Sequence, residues 1–328
     1  MKHLAAIVAA IVLGVALLGG YLYISHGENE RTITVLAAGS LAVPFGKIAE
    51  EYEKEYGIKV RIETAGSVET VKKISELHVH ADVVAVADYR AIENYLMPNY
   101  TSWYIKFARN EIVIAYTSHS RYSSEINSTN WMDIFSRDDV RIGFSSPNDD
   151  PCGYRAVMMF YLASRHYNSS IFRDVVENNT GIRIDNGKIE VPDDANLLNS
   201  SGRVFIKRKS VSLLSDLESG NIDYAIEYLS VAKQHGLKYL RLPDDINLSN
   251  ASKSQWYQRA MVVLADGKTV KGDAINYAIT IPENAPNRED AYRFVAMVTG
   301  DTGREILNSC GQPPMYEAVG TVPEEISP

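Results

Sequence analysis

The stretch TITVLAAGSLAVPFGKIAEEYEKEYGIKVRIETAGSVET, residues 32–70, decides the fold. Thr32 to Ala37 is an apolar, strand-like run, and Leu41 to Tyr56 has the spacing of an amphipathic helix. Between them stands Ala38-Gly39-Ser40. The pattern then repeats: Ile58 to Thr64 reads as a strand, Ala65-Gly66-Ser67 as the turn, and Val68 to Leu77 as a helix. A third buried strand, Ala81 to Ala87, completes βαβαβ, which implies a parallel sheet covered by helices. A strand that passes into a helix through Gly-Ser presents backbone N–H groups and a hydroxyl at the helix N-terminus, a place that suits an anion. Two such turns on successive units suggest one oxyanion gripped from two sides. The plainer alternative is that both serines cap their helices.

Working outward, the chain has 328 residues, enough for two domains with their own cores. Its 45% hydrophobic and 23% charged content is that of a globular protein. A net charge of −8, with no basic run, argues against a nucleic-acid partner. A bound anion must then be held by local dipoles. Met1-Lys2-His3 followed by the uncharged apolar run Leu4 to Ile24 reads as an export signal, so residues 1–26 are expected to be a signal peptide or a membrane anchor. No cysteine near residue 20 offers a lipidation site. The remainder is expected on the extracellular face of the cell membrane. Seven N-x-[ST] sequons, at Asn99, Asn127, Asn168, Asn178, Asn199, Asn247 and Asn250, fit that side and suggest a glycoprotein. The two cysteines, Cys152 and Cys310, leave pairing open. His78 and His80 read as an exposed pair beside a helix end rather than a metal site.

After Glu111 to Tyr116, another strand, the α/β pattern restarts with a strand at Val140 to Phe144 and a helix at Gly153 to Tyr167. Residues 178–201 look like a loop or hairpin excursion. Val211 to Ser219 reads as a helix, Ile222 to Tyr228 and Lys238 to Leu242 as strands, Ala274 to Ile281 as a strand, and Arg288 to Thr299 and Thr302 to Ser309 as helices. The tail from Gly311 is expected to be extended. The fold class is therefore α/β with two lobes: residues 31–115 plus 265–328 form one, residues 116–264 the other, and the ligand lies between them at the strand C-termini.

The second lobe contributes its own strand-to-helix junction, Ser145-Ser146-Pro147-Asn148-Asp149-Asp150-Pro151-Cys152-Gly153-Tyr154-Arg155. Asp149 and Asp150 either cap the helix or face the anion, which a carboxylate repels unless it is protonated or bonds a high-valent central atom. Tyr228, at a strand end, offers a hydroxyl to the cleft or packs as an ordinary core residue.

At these junctions the chain resembles the archaeal molybdate/tungstate-binding proteins of ABC transporters. The resemblance runs from Ala37-Ala38-Gly39-Ser40-Leu41 to Gly311-Gln312-Pro313, and is strongest in Pro147 to Arg155 and in Ser230-Val231-Ala232-Lys233-Gln234-His235-Gly236. It implies the two-lobed periplasmic-binding-protein fold, capture of molybdate or tungstate, delivery to a membrane permease, no cofactor, no enzymatic activity and a monomer. It implies that Gly39, Ser40 and Ser67 bind from the first lobe and Asp150, Pro151, Cys152 and Tyr228 from the second, Asp150 reaching the metal of the oxyanion. The family's second carboxylate, a glutamate eighteen residues before that tyrosine, falls here on Ser210, which is expected to line the site instead. Glu227 is a weaker candidate for a metal bond, because strand alternation turns it away from Tyr228's face. Two alternatives stand beside this reading. One is a binder of another tetrahedral oxyanion such as sulfate. The other is an extracellular hydrolase using Ser40 or Ser67, although neither serine sits in a Gly-x-Ser-x-Gly elbow.

Overall fold

The computed structural model describes residues 31–196 and 202–326. The expected signal or anchor, residues 1–26, lies outside the described residues, as does Asn199. Among the described residues no helix is long and apolar enough to cross a membrane.

The chain opens as the sequence predicts. β1 (Thr32–Ala38) pairs in parallel with β2 (Lys59–Ala65) and β3 (Val83–Val86). The helix Ala42–Tyr56 between them buries Pro44, Phe45, Ile48, Ala49 and Tyr52, one stripe at helical spacing, and stops at Gly57, whose φ of 67° is the left-handed C-cap that glycine allows. The second crossover helix, Ser67–Ser75, buries Val68, Val71 and Ile74 in the same manner. The sheet is mixed, however. β4 (Trp103–Arg109), β14 (Asn276–Thr280) and β15 (Pro314–Gly320) join it antiparallel, giving the order β15-β4-β14-β3-β1-β2. The extended tail is thus an edge strand on β4.

A second, five-stranded sheet has the order β11-β5-β10-β6-β9. Its strands are β5 (Ile112–Tyr116), β6 (Ile142–Ser145), β9 (Val204–Lys207), β10 (Tyr224–Tyr228) and β11 (Lys238–Arg241). The excursion at 178–201 contains the hairpin β7 (Arg183–Asp185) and β8 (Lys188–Glu190). With β12 (Met261–Val263) and β13 (Thr269–Lys271) it forms a four-stranded sheet, β13-β12-β8-β7.

Two strand pairings run across the positions expected as lobe limits. A cut at 115/116 would split β5, which pairs with β10 and β11, and a cut at 264/265 would part β13 from β12. The chain changes sheet at Asn110 and Glu111, and returns between Lys271 and Asn276. The alternation pattern could not show this, because β4 and β5 run almost end to end.

The helix Pro151–Tyr167 buries every residue from Pro151 to Ala163. It packs on β6, β10 and β5 of the five-stranded sheet and on β12 of the four-stranded one. Asp150 caps it, Pro151 occupies the first turn where no N–H is needed, and Asn168 ends it at a φ of 50°. Both cysteines are buried and free. Asn247 is buried and its amide donates to Glu111, Leu242 and Asp244, so this sequon is closed to glycosylation. Asn99, Asn127, Asn168 and Asn178 are exposed.

Candidate functional site

The C-terminal ends of β1, β2 and β3 face those of β6 and β10, and the junctions that follow them touch. Val68 and Glu69 donate their N–H groups to the Asp149 carbonyl at 3.1 and 3.3 Å. Gly66 lies so close to that carbonyl that a β-carbon there would come within 2.2 Å of its oxygen, and a β-carbon on Gly39 would meet Val211 at 3.1 Å. The two halves are closed on each other.

At the start of the helix Ser67–Ser75 the N–H groups of Val68 and Glu69 are thus taken by the Asp149 carbonyl. At the third junction Cys152 N–H is bound by Asp150 Oδ1 at 3.1 Å and Gly153 N–H by the Asp150 carbonyl. Asp150 Oδ2 accepts from Ser210 N–H at 2.7 Å, so its carboxylate is both a helix cap and a clasp on the Ser210 turn. Burial raises its pKa above the ordinary aspartate value, against those two backbone donors.

The hydroxyls behave differently. Neither Ser40 nor Ser67 caps a helix with its side chain: Ser40 lies in the 3-10 turn Gly39–Leu41, and Ser67 is the first residue after the cap Gly66. Both are buried. Ser67 Oγ accepts from Ala87 N–H at 2.8 Å. Ser40 Oγ accepts from Tyr277 Oη at 2.9 Å, and Tyr277 in turn accepts from Asn110 Nδ2 at 2.8 Å. Tyr228 Oη accepts from the Arg155 guanidinium at 2.8 Å. Each of the three oxygens is therefore bonded from behind by a group that donates, and each keeps its own hydrogen as a donor. No acceptor among the described residues takes those hydrogens.

The three belong to one wall. Ala87 joins Ser67 to Arg155 through its two flanking peptides, its N–H donating to Ser67 and its carbonyl accepting from Arg155 at 2.7 Å. Arg155 holds Tyr228, whose ring centre is 6.0 Å from that of Tyr277, the partner of Ser40. Gln312, from the far end of the chain, donates to the Ser40 carbonyl at 3.0 Å. Burial would discharge Arg155, but its Tyr228 and Asp88 partners outweigh this and hold its pKa above the ordinary value. Its charge is matched by Asp88 at 2.9 Å.

Glu227 is buried at 1% exposure, Tyr228 ends β10, and both side chains meet the helix Pro151–Tyr167, at Cys152 and Arg155 respectively. Glu227 Oε1 accepts from Tyr228 N–H at 2.7 Å and lies 3.7 Å from Cys152 Sγ, while Oε2 has no partner. Burial, reinforced by the charge on Asp150, raises its pKa to about 8 against the Tyr228 N–H. Ser145 Oγ and Gln312 Oε1 are also buried and unpartnered. Beside the junctions a cavity of about 310 Å³ is lined by Thr64, Ala65, Glu69, Lys73, Arg208 and Lys209, with Arg208 paired to Glu69 and Asp149 and Lys73 to Glu63. His80 Nδ1 lies 3.4 Å from Asn284 Nδ2, and no metal-holding cluster of His, Cys, Asp or Glu occurs among the described residues.

Arg155, Tyr277, Asn110, Ala87 and Gln312 were not singled out from the sequence. Arg155 ends the string that carries the resemblance. Ala87 ends the third strand read from the sequence and Gln312 stands at the end of the resemblance, but their pairing, and that of Tyr277 and Asn110, across up to 272 residues left no local signal.

Residues 33–311 match the family model described as bacterial extracellular solute-binding protein. The chain belongs to that family. This solute-binding protein is 43% identical over 312 residues to the molybdate/tungstate-binding protein WtpA of Thermococcus kodakarensis, covering 91% of this chain and 87% of that one. It is 43% identical over 313 residues to the WtpA of Pyrococcus abyssi, covering 92% and 90%. An uncharacterised solute-binding protein of Staphylothermus marinus is 44% identical over 333 residues, covering 98% and 94%. Among solved structures, the periplasmic molybdate-binding protein of Azotobacter vinelandii superposes with a TM-score of 0.59 at 14% identity, over 85% of this chain and 98% of that one. The sulfate-binding protein SubI of Mycobacterium tuberculosis gives 0.59 at 13%, over 87% of each. The mixed α/β fold of periplasmic binding proteins is thus shared by receptors for different oxyanions.

Proposed function

We propose that this solute-binding protein captures molybdate or tungstate outside the cytoplasm and hands it to an ABC permease, as a receptor without catalytic chemistry. One observation carries the reading: the buried hydroxyls of Ser40, Ser67 and Tyr228, in a single wall between the halves, are each bonded from behind so that each offers a hydrogen. Such a set suits an acceptor-only tetrahedral dianion. Hydrogen bonds to an ionised acceptor in a dry cleft are stronger than neutral ones, so no unpaired cation is needed. The names of the archaeal relatives supply the kind of oxyanion.

In this reading the two halves are lobes that change over at 110–111 and 272–275, and Gly39, Ser40, Ser67 and Tyr228 touch the anion. Asp150, Pro151 and Cys152 form the second lobe's loop, and Asp150 faces the central atom with the Ser210 turn clasped behind it. Sulfate is the competing ligand, favoured by Ser210 in place of the family glutamate. Its shorter central-atom–oxygen bonds leave it too small to meet all the donors together.

Thermal melting with an oxyanion panel tests the proposal, since a ligand bound only by the folded state raises the midpoint. Tungstate and molybdate are expected to raise it strongly, and sulfate at the same concentration is not. Comparable sulfate affinity by calorimetry would overturn the choice of ligand. Unchanged affinity in Ser40→Ala, Ser67→Ala and Tyr228→Phe would overturn the site; each is expected to weaken tungstate binding by roughly tenfold, the scale of one hydrogen bond to a charged group.

A further inference from the structure

Arg155 lies in the five-stranded half, on the helix Pro151–Tyr167, yet most of its partners are in the other half. It is buried, with 4% of its side chain exposed, and its Nη2 is 2.9 Å from Asp88 Oδ2, a carboxylate 2% exposed. Nη1 donates to the Ala87 carbonyl at 2.7 Å and to Tyr228 Oη at 2.8 Å. Tyr154 adds a bond to the same Asp88 oxygen at 2.7 Å, while Asp88 Oδ1 is held by Arg90 N–H at the start of the helix Tyr89–Tyr95. Opening the cleft must break the Asp88, Ala87 and Tyr154 links, leaving Arg155 with Tyr228 alone.

The same guanidinium therefore does two things at once. It ties the halves through a matched ion pair, and it holds the Tyr228 hydroxyl and the carbonyl of Ala87, the residue whose N–H, across its Cα, donates to Ser67. We propose that Arg155 is a positioning residue, with Asp88 as its counterpart, that couples closure of the halves to the aim of the Tyr228 and Ser67 hydroxyls and so sets how long the oxyanion stays bound. This rests on the oxyanion-receptor reading above. Because the pair carries no net charge, it governs residence time and leaves the preference among dianions to the hydroxyl set. Closure forms the pair, the pair aims the hydroxyls, and an anion that accepts from those hydroxyls holds the pair closed.

Stopped-flow tungstate binding with Asp88→Asn/Arg155→Met, Tyr228→Phe and the triple variant tests this. The double variant removes both charges together, so no lone buried charge remains. Its tungstate dissociation rate is expected to rise about tenfold or more with association changed less than about threefold, the pattern of a lost closed-state contact. The tungstate-to-molybdate affinity ratio stays at the wild-type value. Adding Tyr228→Phe to the double variant has little further effect, because groups acting through one another are not additive. Small-angle scattering supplies a second reading: tungstate compacts the wild type and Tyr228→Phe, and compacts the double variant less. Arg155→Lys, which keeps the charge but cannot bridge three partners, is expected to fall between, and decides the matter if the double variant does not fold. Wild-type dissociation rates in the double variant and in Arg155→Lys, or fully multiplicative effects with Tyr228→Phe, would overturn the proposal. A wild type that does not respond to tungstate would overturn the receptor reading instead, so the two failures are distinct.

Discussion

Glu227 keeps one carboxyl oxygen bonded to its own chain and leaves the other without a partner at 1% exposure. Burial moves its pKa from 4.5 to about 8, and burial also moves Asp149 from 3.8 to about 6. The sign of the consequence follows from linkage. A raised folded-state pKa means that the native protein holds protons the unfolded chain has already released, so this stabilisation is complete below pH 4.5 and is lost as the pH rises through about 8. The ligand-free protein is therefore expected to melt lower at pH 8 than at pH 6. Glu227→Gln should flatten the profile in that interval, leaving the Asp149 contribution below it. Scanning calorimetry across pH checks this, and a midpoint that climbs from pH 6 to 8 would be the contrary result. Ser40, Ser67 and Tyr228 were legible from sequence because each stands at a strand end next to a turn. What primes them was not: Tyr277 is 237 positions from Ser40 and Arg155 is 73 from Tyr228, and pairing across such distances is made only by the fold.

Two glycines at the junctions show how the same crowding has different effects. A β-carbon at Gly66 would lie 2.2 Å from the Asp149 oxygen in the other half, and one at Gly153 would lie 2.2 Å from the Ser145 oxygen in its own half. Gly66 has φ −63° and ψ 146°, open to any residue, so Gly66→Ala leaves its own half unstrained. Ligand-free stability in Gly66→Ala should stay within about 0.5 kcal/mol of wild type, while the tungstate-induced rise in melting temperature disappears. Gly153→Ala overpacks a helix on its own strand and should cost roughly 1–3 kcal/mol without any ligand. Melting both variants with and without tungstate separates the effects. The elements around Gly66 were readable because apolar runs, Gly-Ser turns and amphipathic spacing agree over residues 32–87. The hairpin β7–β8 reads in the sequence only as a loop or hairpin excursion and β15 only as an extended tail, because Pro313, Pro314 and Gly320 obscure an edge strand; β12 and β13 escape notice, since three residues carry no period.

At the scale of the molecule, the junctions of both halves should respond together. Tungstate is expected to slow amide exchange at residues 39–41, 66–69, 149–152 and 209–212 as one group, with little change in the hairpin β7–β8. Hydrogen-exchange mass spectrometry reads this directly, and protection confined to one half would count against closure around a shared ligand. Two sheets could be inferred from the restart of the α/β pattern. The place where the chain crosses between them could not, because β4 and β5 follow one another with only Asn110 and Glu111 between. The described chain starts beside β1 and ends just after β15, both in the six-stranded sheet, so the five-stranded half is a guest spliced into its host by two crossings. Tension applied between residues 31 and 326 would run through the host alone. Only the five-stranded face of the cleft lies off that load path, while Ser40, just after β1, and Gln312, just before β15, stand on it, so the grip on the cargo would last only as long as the host sheet.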